Sequence, residues 1–336
     1  MTLKFGILDQ SIIFPGQTPE QALANTVKLA QLAESLGFER FWVSEHHDSP
    51  GLAGTSPEVL ISHLLARTEK IRIGSGGVML QHYSPYKVAE NFNVLAALAP
   101  GRVDLGIGRA PGGLPRSTKA LQRGVTEPES LEEKLTELEQ LRFGPLGEDH
   151  PLAGLTADPL PAQPAEIYLL GTSVSSARLA AERGYPYAFA LFLNNDPETA
   201  KQAFDLYRER FNREKGGEPR TLLALSVIVS DTEEEAAELA GEFKTVRVTF
   251  ASGKTVNVRS LEDAEKFAIQ TGESYTAEVH DADITRGTKE TVRKRLLELR
   301  DAFDADELII TTIVPDFAKR VRNLELLKEA FAEQPV

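Results

Sequence analysis

The amino-acid sequence predicts a (β/α)8 barrel, in which parallel strands alternate with helices around a closed sheet. Short apolar segments alternate with amphipathic helical segments along the chain, and parallel strands need such helical crossovers. The chain has 336 residues, which is long for one compact open sheet and ordinary for a barrel with extended loops. Eight strand-helix units fit this length better than a doubly wound sheet does.

The first half of the chain shows clear signals for helix starts. Thr18, Ser56 and Ser84 each precede a proline, which is the pattern of an N-cap followed by the first helical position. Apolar residues at helical spacing follow each signal. The strands predicted around these helices are Phe5–Asp9, Phe41–Ser44, Ile71–Gly74 and Val103–Ile107.

The second half continues the alternation. Strands fit Ile167–Leu170, Tyr187–Phe192, Leu222–Val229 and Glu307–Thr312. Helices fit Ser175–Arg183, Pro197–Arg213, Asp231–Glu242, Lys289–Phe303 and Asp316–Phe331. No linker divides the chain, so we predict one barrel domain over residues 1–336.

Two stretches exceed the usual lengths of connections between elements. We predict them as insertions at the C-terminal face of the barrel, at about 112–165 and 243–287. The first contains Gly144–Ala165, which is rich in proline and glycine, and the second is polar with few apolar clusters. Both are candidate lids near the mouth of the barrel.

Composition narrows the classes of function. The net charge of −13 argues against a nucleic-acid partner, because neutralising phosphates needs a basic surface. With no cysteines, the chain offers no disulfide, thiolate nucleophile or thiolate metal ligand. No apolar run approaches the ~20 residues of a membrane span, and the first residues lack the pattern of a signal peptide. We therefore expect a cytoplasmic protein without a membrane partner.

Glu45-His46-His47 closes an apolar segment and opens a loop rich in glycine and proline. Ionisable groups at the end of a barrel strand lie at the C-terminal mouth, where barrel enzymes place their active sites. Neighbouring strand residues point to opposite faces, so we expect one histidine to face the mouth and the other the helices. A mouth-facing imidazole suits proton transfer or hydrogen bonding to a cofactor. The alternative is a structural histidine paired with Glu45. The spacing does not indicate a metal site.

Glycines follow the third predicted strand. Gly76 and Gly77 remove side chains there, which would let a flat ring approach the backbone. The alternative is a barrel that needs small residues to pack. At the end of the fourth strand, the segment 106–113 is similar to a dinucleotide fingerprint, but the prolines within it and just after it disfavour an immediate helix. We therefore interpret Arg109 as an anion-binding group, since guanidinium pairs well with phosphate.

The fifth predicted strand runs through Gly171-Thr172-Ser173 into a helix that contains Ser176. Unpaired backbone N–H groups, the helix dipole and several hydroxyl groups together favour phosphate binding at such a turn. Ordinary N-capping by serine or threonine is the alternative interpretation. The number of hydroxyl groups favours phosphate.

These motifs, in this order, resemble the bacterial luciferase-like monooxygenase family. The resemblance covers nearly the whole chain and is strongest from Glu45-His46-His47, through the segment 74–80, to the segment 101–109. The segment 89–92 and the region from Gly171 to Ala181 also fit. Several motifs in one order are more specific than any of them alone. Within the family, the chain looks most similar to single-subunit enzymes of unassigned substrate.

The resemblance implies an activity and its cofactor. Family members bind reduced FMN (FMNH2), which a separate NAD(P)H flavin reductase supplies. Oxygen adds at the flavin C4a position, and the peroxide then oxidises a small organic substrate. A homodimer is also implied, paired through the helices near the second and third strands, here with the faces Val59–Leu65 and Val88–Leu98.

The resemblance also implies roles for the residues singled out above. His46 corresponds to the catalytic histidine of the family. Glu45, Gly76 and Gly77 correspond to flavin-binding positions, and the two glycines lie beside the isoalloxazine ring, where the family often has a non-proline cis peptide. The implied phosphate site consists of Arg109, Gly171, Thr172, Ser173 and Ser176.

Three alternatives remain open. Light-emitting members carry a cysteine where this chain has Gly108, and they are heterodimers, so the resemblance does not imply bioluminescence. A branch of the same fold uses the deazaflavin F420 for hydride transfer instead of oxygenation. A non-catalytic flavin-binding protein is the second alternative, against which the intact His46 and Arg109 speak. A metal-dependent hydrolase would need ligands at several strand ends, where beyond the second strand only Asp9 and His82 qualify.

Overall fold

The computed structural model describes residues 3–241, 243–253, 255–258 and 260–332. The strands are β1 (Lys4–Asp9), β2 (Arg40–Val43), β3 (Arg72–Val78), β4 (Val103–Ile107), β5 (Glu166–Gly171), β6 (Tyr187–Ala190), β7 (Thr221–Val229), β8 (Lys244–Phe250), β9 (Thr255–Val258), β10 (Tyr275–Asp281), β11 (Ile284–Gly287) and β12 (Glu307–Thr311). Strands β1 to β7 pair in parallel with their neighbours, and β12 pairs with both β7 and β1. These eight strands therefore close a parallel barrel, which confirms the predicted fold class.

Helices connect successive barrel strands. They are α1 (Pro19–Ser35), α2 (Pro57–Leu65), α3 (Pro85–Leu98), α4 (Pro115–Leu121), α5 (Leu131–Leu141), α6 (Val174–Arg183), α7 (Pro197–Arg210), α8 (Arg213–Gly216), α9 (Glu233–Ala240), α10 (Leu261–Thr271), α11 (Lys289–Phe303) and α12 (Phe317–Phe331). Thr18 caps α1 in a capping box with Gln21. The helix predicted at Pro197–Arg213 divides because Asn212 caps a separate short turn, α8. Residue 242, the predicted end of α9, lies outside the described residues.

Apolar side chains fill two layers of the barrel. A large outer core packs the strands against the surrounding helices. A smaller inner core fills the barrel itself and consists of Leu8, Trp42, Tyr168, Ala188, Leu222, Ala224 and Ile309. Leu170, Ala190 and Phe192 pack against the inner core and are only partly buried. The barrel interior is thus a packed core and not a pore, and a site must lie at its rim.

The later part of the first long stretch, Gly144–Ala165, does not lie at the mouth of the barrel, where we expected it. It contains α5, whose buried leucines pack in the same outer core as those of α3. The segment 144–165 then connects the end of α5 to the start of β5. A loop that follows a helix and precedes a strand lies at the N-terminal end of a parallel barrel. The expectation that Gly144–Ala165 lies near the mouth is therefore wrong.

The second long stretch folds into a small antiparallel sheet, β10-β8-β9, covered by α10. Its strand β8 alternates exposed and buried residues, with Val246, Val248 and Phe250 inside. Asn257 Nδ2 donates to the Leu193 carbonyl in the loop after β6, at 2.7 Å. The small sheet therefore lies at the mouth, as predicted. Among the described residues, no helix is both long and apolar enough to cross a membrane.

Candidate active site at the barrel mouth

Four neighbouring strands bring the predicted site residues to one side of the mouth. The sheet order places β2, β3, β4 and β5 side by side. His46 follows β2, the Gly76-Gly77 pair lies near the end of β3, Arg109 follows β4, and the turn before α6 follows β5. Because the carboxyl ends of parallel strands meet at one edge, a single ligand lying across these strands can contact all four positions.

The two adjacent histidines have different surroundings. His46 is half-buried, and its Nδ1 lies 3.1 Å from Ser44 Oγ. His47 Nε2 lies 2.7 Å from Glu45 Oε1. The interpretation of a structural histidine paired with Glu45 thus describes His47. His46 follows β2 and lies at the rim of the barrel.

Glu45 is the most buried ionisable group at the mouth, with 1% of its surface exposed. Its Oε1 also accepts a hydrogen bond from the Tyr83 hydroxyl at 2.7 Å, and its Oε2 accepts one from the Met79 backbone N–H at 3.0 Å. Burial and the hydrogen bond to Glu45 raise the pKa of Tyr83 far above its ordinary value, so the Tyr83 hydroxyl keeps its proton and stays a hydrogen-bond donor. Both carboxylate oxygens are thus engaged within the protein. A contact between Glu45 and a cofactor stays a prediction.

The loop between β4 and α4 is fastened to the histidine segment. The His47 backbone N–H donates to the Gly112 carbonyl at 2.8 Å, and His47 forms an isolated parallel bridge with Gly113. His82 Nε2 lies 2.8 Å from the Pro111 carbonyl oxygen. Arg116 holds Asp48 in a bidentate ion pair, and this hydrogen bonding lowers the pKa of Asp48. Asp48 has a left-handed φ of 53°, which aspartate tolerates better than most residues.

The Gly76-Gly77 peptide bond is cis. A Cβ on Gly77 would lie 2.8 Å from the Gly106 carbonyl oxygen and 2.9 Å from the Gly108 nitrogen, so close strand packing requires glycine there. A Cβ on Gly76 would instead meet the Leu8 side chain and Trp42. Gly76 is half-buried. The pair therefore satisfies the packing alternative at Gly77 and leaves a backbone surface without side chains at Gly76.

The hydroxyl-rich turn is a well-formed helix cap. Ser173 caps α6 in a reciprocal capping box with Ser176, whose hydroxyl also donates to the Ser173 carbonyl and lies 2.9 Å from the Tyr187 hydroxyl. Ser176 is buried, whereas Thr172 and Ser173 are half-buried. Asn194 Nδ2 donates to the Thr172 carbonyl at 2.9 Å and holds the turn in place. The capping interpretation therefore describes Ser173 and Ser176.

Arg109 is exposed, and it makes no hydrogen bond or ion pair with any residue that the structure describes. A guanidinium in this state is free to pair with an anion near the α6 turn. Asp9 lies at the end of β1, next to β2, where it accepts hydrogen bonds from Thr26 Oγ1 and the Ser11 N–H. Within the described parts of the chain, no cluster of three or more histidine, aspartate or glutamate side chains could hold a metal ion.

The residues present fit a flavin mononucleotide in chemical character. Gly76 offers bare backbone for a flat ring, and the α6 turn with Arg109 offers donors and positive charge for a phosphate. His46 stands beside the glycine strand, since β2 pairs directly with β3. The site can therefore bind an anionic, flat cofactor and move a proton at its edge.

Sequence reasoning missed the residues that hold these elements together. Tyr83, Ser44, Asn194 and Gln122 carry no motif of their own, and their roles depend on contacts made across the fold. Gln122 Nε2, for example, donates to the Gln81 carbonyl at 3.1 Å, across two loops.

Comparison with known proteins agrees with this architecture. The family model for luciferase-like monooxygenases matches residues 3–306 of the chain. An N-acetyl-S-alkylcysteine monooxygenase from Bacillus subtilis (strain 168) is 41% identical over 332 residues, which are 98% of this chain and 98% of that protein. The chain therefore belongs to the luciferase-like monooxygenase family.

Solved structures share the fold. The crystal structure of apo-MsnO8 superposes with a TM-score of 0.81 at 33% identity and covers 99% of this chain and 100% of its own. A type II Baeyer-Villiger monooxygenase in complex with FMN has a TM-score of 0.72 at 20% identity, covering 100% and 99%. An F420-dependent secondary alcohol dehydrogenase has a TM-score of 0.70 at 17% identity, covering 99% and 100%. The last two show a common fold alone.

Proposed function

We propose that the protein is a monooxygenase that binds reduced FMN at the barrel mouth and uses O2 to oxidise a small organic substrate. One observation carries the proposal: consecutive strands β2 to β5 hold, in order, His46, the bare Gly76 backbone, the exposed Arg109 and the N-terminal turn of α6. This order matches the ring, the ribityl chain and the phosphate of a flavin. Membership of the luciferase-like family supports it.

Different residues of the chain would bind the cofactor, move a proton and exclude water. Bound reduced FMN would supply the electrons that activate O2. Arg109 and the turn Gly171-Thr172-Ser173, with Ser176 as its cap, would hold the phosphate through charge and backbone N–H groups. His46 would move or hold a proton at the ring edge, with its Nδ1 side anchored by Ser44. The packed inner core below the mouth would exclude water from the reacting side.

The substrate class can be narrowed to a first candidate. The relative from Bacillus subtilis is named for an N-acetyl-S-alkylcysteine, which carries a thioether sulfur. We therefore propose thioethers of N-acylated cysteine as the first substrates to test, ahead of aldehydes and ketones.

The proposal extends to the assembly and its surroundings. Val59, Val94 and Leu98 on α2 and α3 are 66%, 43% and 68% exposed, and an apolar face of this kind suits pairing of two copies. We propose a homodimer that uses this face, one barrel domain per chain, a cytoplasmic location, and a separate NAD(P)H flavin reductase as the supplier of FMNH2. Gel filtration of the protein and of Leu98→Glu tests the dimer: a monomeric wild type contradicts it.

The test of function is an anaerobic titration of the purified protein with FMNH2 and FMN, with F420 in parallel, followed by a rapid pulse of air. Binding of FMNH2 and a transient absorbance that needs oxygen would support the proposal. Binding of F420 alone, with no oxygen-dependent change, would favour the hydride-transfer alternative. This alternative is tested because an F420-dependent dehydrogenase has the same fold. FMN binding without any oxygen-dependent change would favour a non-catalytic flavin-binding protein.

A further inference from the structure

We propose that Glu45 is a positioning residue that joins the ends of three barrel strands and thereby sets the distance between His46 and the Gly76-Gly77 peptide. The inference rests on the proposed function, because this distance matters when a cofactor ring lies between the two. It assigns Glu45 a role within the protein in place of a direct contact with the flavin.

Both oxygens of the Glu45 carboxylate are engaged in hydrogen bonds. Glu45 belongs to the segment after β2, and it is 1% exposed. Its two oxygens lie within hydrogen-bonding distance of the Met79 N–H at 3.0 Å, the Tyr83 hydroxyl at 2.7 Å and His47 Nε2 at 2.7 Å. An ionised carboxylate only accepts hydrogen bonds, so all three partners act as donors. A buried charge with three donors is held in one geometry.

These hydrogen bonds connect the segments that follow neighbouring barrel strands. Met79 directly follows β3, two residues after the Gly76-Gly77 peptide, so its bond to Glu45 fixes the end of the glycine strand relative to β2. His47 continues the connection, because its backbone N–H donates to Gly112 and it forms a bridge with Gly113 in the loop after β4. The Glu45 carboxylate thus ties the outgoing segment of β2 to that of β3, and it holds the side chain of His47, whose backbone ties the same segment to the loop after β4.

The same contacts hold the backbone on both sides of His46. It lies between Glu45 and His47 in the chain, and both neighbours are fixed through the same carboxylate. Its own backbone N–H donates to the Gly54 carbonyl at 2.8 Å. The backbone of His46 can therefore move relative to Gly76 only if the Glu45 contacts break. Misplacement of a reacting group by about 1 Å can cost about 100-fold in rate.

The test uses Glu45→Gln and Tyr83→Phe in the full chain. The amide of glutamine offers one acceptor oxygen and turns an NH2 group toward a donor, so at least one of the three bonds is lost. Tyr83→Phe removes a single donor and leaves the Met79 and His47 contacts in place. A matched control is Glu34→Gln: Glu34 Oε1 accepts from the backbone N–H groups of residues 69, 70 and 71, at the opposite end of the barrel.

Two readouts separate this inference from the proposed function. Hydrogen exchange of the protein without cofactor is expected to speed up at least 10-fold in segments 77–83 and 110–114 of Glu45→Gln, with a smaller increase in Tyr83→Phe. Glu34→Gln should leave both segments unchanged. With FMNH2 and an air pulse, Glu45→Gln should shorten the oxygen-dependent transient at least 10-fold, while the control keeps the wild-type lifetime.

The outcomes are decisive in each direction. Unchanged exchange in both segments of a folded Glu45→Gln protein overturns the inference. If that variant does not fold, Tyr83→Phe decides in its place, and wild-type exchange near Met79 and Gly113 overturns the inference. Faster exchange with an unaltered transient also overturns it, since the ties would then not serve the reaction. A wild type that binds no flavin contradicts the proposed function instead, and exchange still reports whether the three strand ends are tied.

Discussion

The two ends of the barrel use charged residues in opposite ways. At the N-terminal end, Arg40 donates from Nη1 to Asp104 at 2.5 Å and from Nε to Glu307 at 2.8 Å, with its side chain 4% exposed. Asp104 also accepts from Trp42 Nε1 at 2.9 Å. At the C-terminal mouth, Arg109 is exposed and unpaired among the described residues, and His46 is half-buried.

The difference shows how the same residue types divide between stability and chemistry. The carboxylates around Arg40 outweigh its burial and raise its pKa well above the ordinary value, so the guanidinium stays charged in a dry setting. A group so fully paired has no capacity left for a ligand. The groups at the mouth keep that capacity, with Glu45 as the exception that holds the others in place.

The largest expected effect comes from breaking the N-terminal cluster. Arg40→Met leaves Glu307 buried without its described ion-pair partner and removes one of the two arginines that pair with Asp104, which keeps Arg72. Removing one side of a buried ion pair typically costs about 3–5 kcal/mol. Urea unfolding should show this loss. Lys201→Met, which removes an exposed pair with Asp205 on α7, should cost no more than about 0.5 kcal/mol. Equal costs for both variants would contradict the comparison.

The opposite pattern is expected at the mouth. His46→Ala should change the unfolding free energy by less than about 1 kcal/mol, because the ring is only half-buried, yet lower turnover by about 10²- to 10⁴-fold. Oxidation of an N-acetyl-S-alkylcysteine, or of the first substrate that a screen identifies, measures this. His150→Ala, in the loop before β5, is the control and should keep full turnover. Substrate oxidation by His46→Ala at the wild-type rate would remove His46 from the mechanism.

A third variant tests the phosphate turn. In Gly171→Ala the new Cβ would collide with Ser176 and displace the first turn of α6, so we expect FMN affinity to fall about 10-fold and stability to fall by about 1–3 kcal/mol. Gly144→Ala is a matched control, since a Cβ there meets nothing within 4 Å. Fluorescence titration with FMN and thermal unfolding measure the two effects. Wild-type FMN affinity in a folded Gly171→Ala protein would place the phosphate elsewhere.

The smallest expected effect is the pH dependence contributed by Glu166 at the N-terminal end. Burial raises the pKa of Glu166, but hydrogen bonds from Tyr168 and Arg220 outweigh it and lower the pKa below the ordinary 4.5. A carboxyl group with a lowered folded-state pKa stabilises the fold above its unfolded pKa and loses that contribution as the pH falls through the folded value. Stability should therefore decline below about pH 4.5, and less steeply in Glu166→Gln. Because Glu166 is 37% exposed, the difference should stay below about 1 kcal/mol.

Much of the fold could be predicted because its signals are local. Proline after a capping residue marked α1, α2 and α3, and buried strands appeared as apolar runs. The small sheet was missed although β8 alternates buried and exposed residues, because its partner strands β9 and β10 contain no fully buried residue and so show no apolar run. The placement of Gly144–Ala165 failed because composition does not tell which end of a barrel a loop occupies.

The charged and site residues likewise include some that local motifs indicate and others whose contacts depend on the whole fold. His46, the glycine pair and the α6 turn lie in contiguous motifs, so the sequence could indicate them. The cluster around Arg40 draws Asp104 and Glu307 from strands far apart in the chain, and each is an isolated charge in an apolar run. Their pairing depends on barrel closure, which no local pattern encodes. Glu45 was visible in the sequence, but its engagement by Met79 and Tyr83 was not.

The small sheet at the mouth carries its own apolar core, in which Val248, Phe250 and Phe267 are each at most 4% exposed. Its described attachments to the barrel loops include a hydrogen bond from Asn257 and one from the Arg116 N–H to Gln270 Oε1 at 2.9 Å. The buried core of the small sheet is therefore made of its own residues. Across generations, the entrance of this enzyme can diverge in length and chemistry while the eight-stranded frame stays unchanged, and new substrates can be acquired without renewed selection for folding.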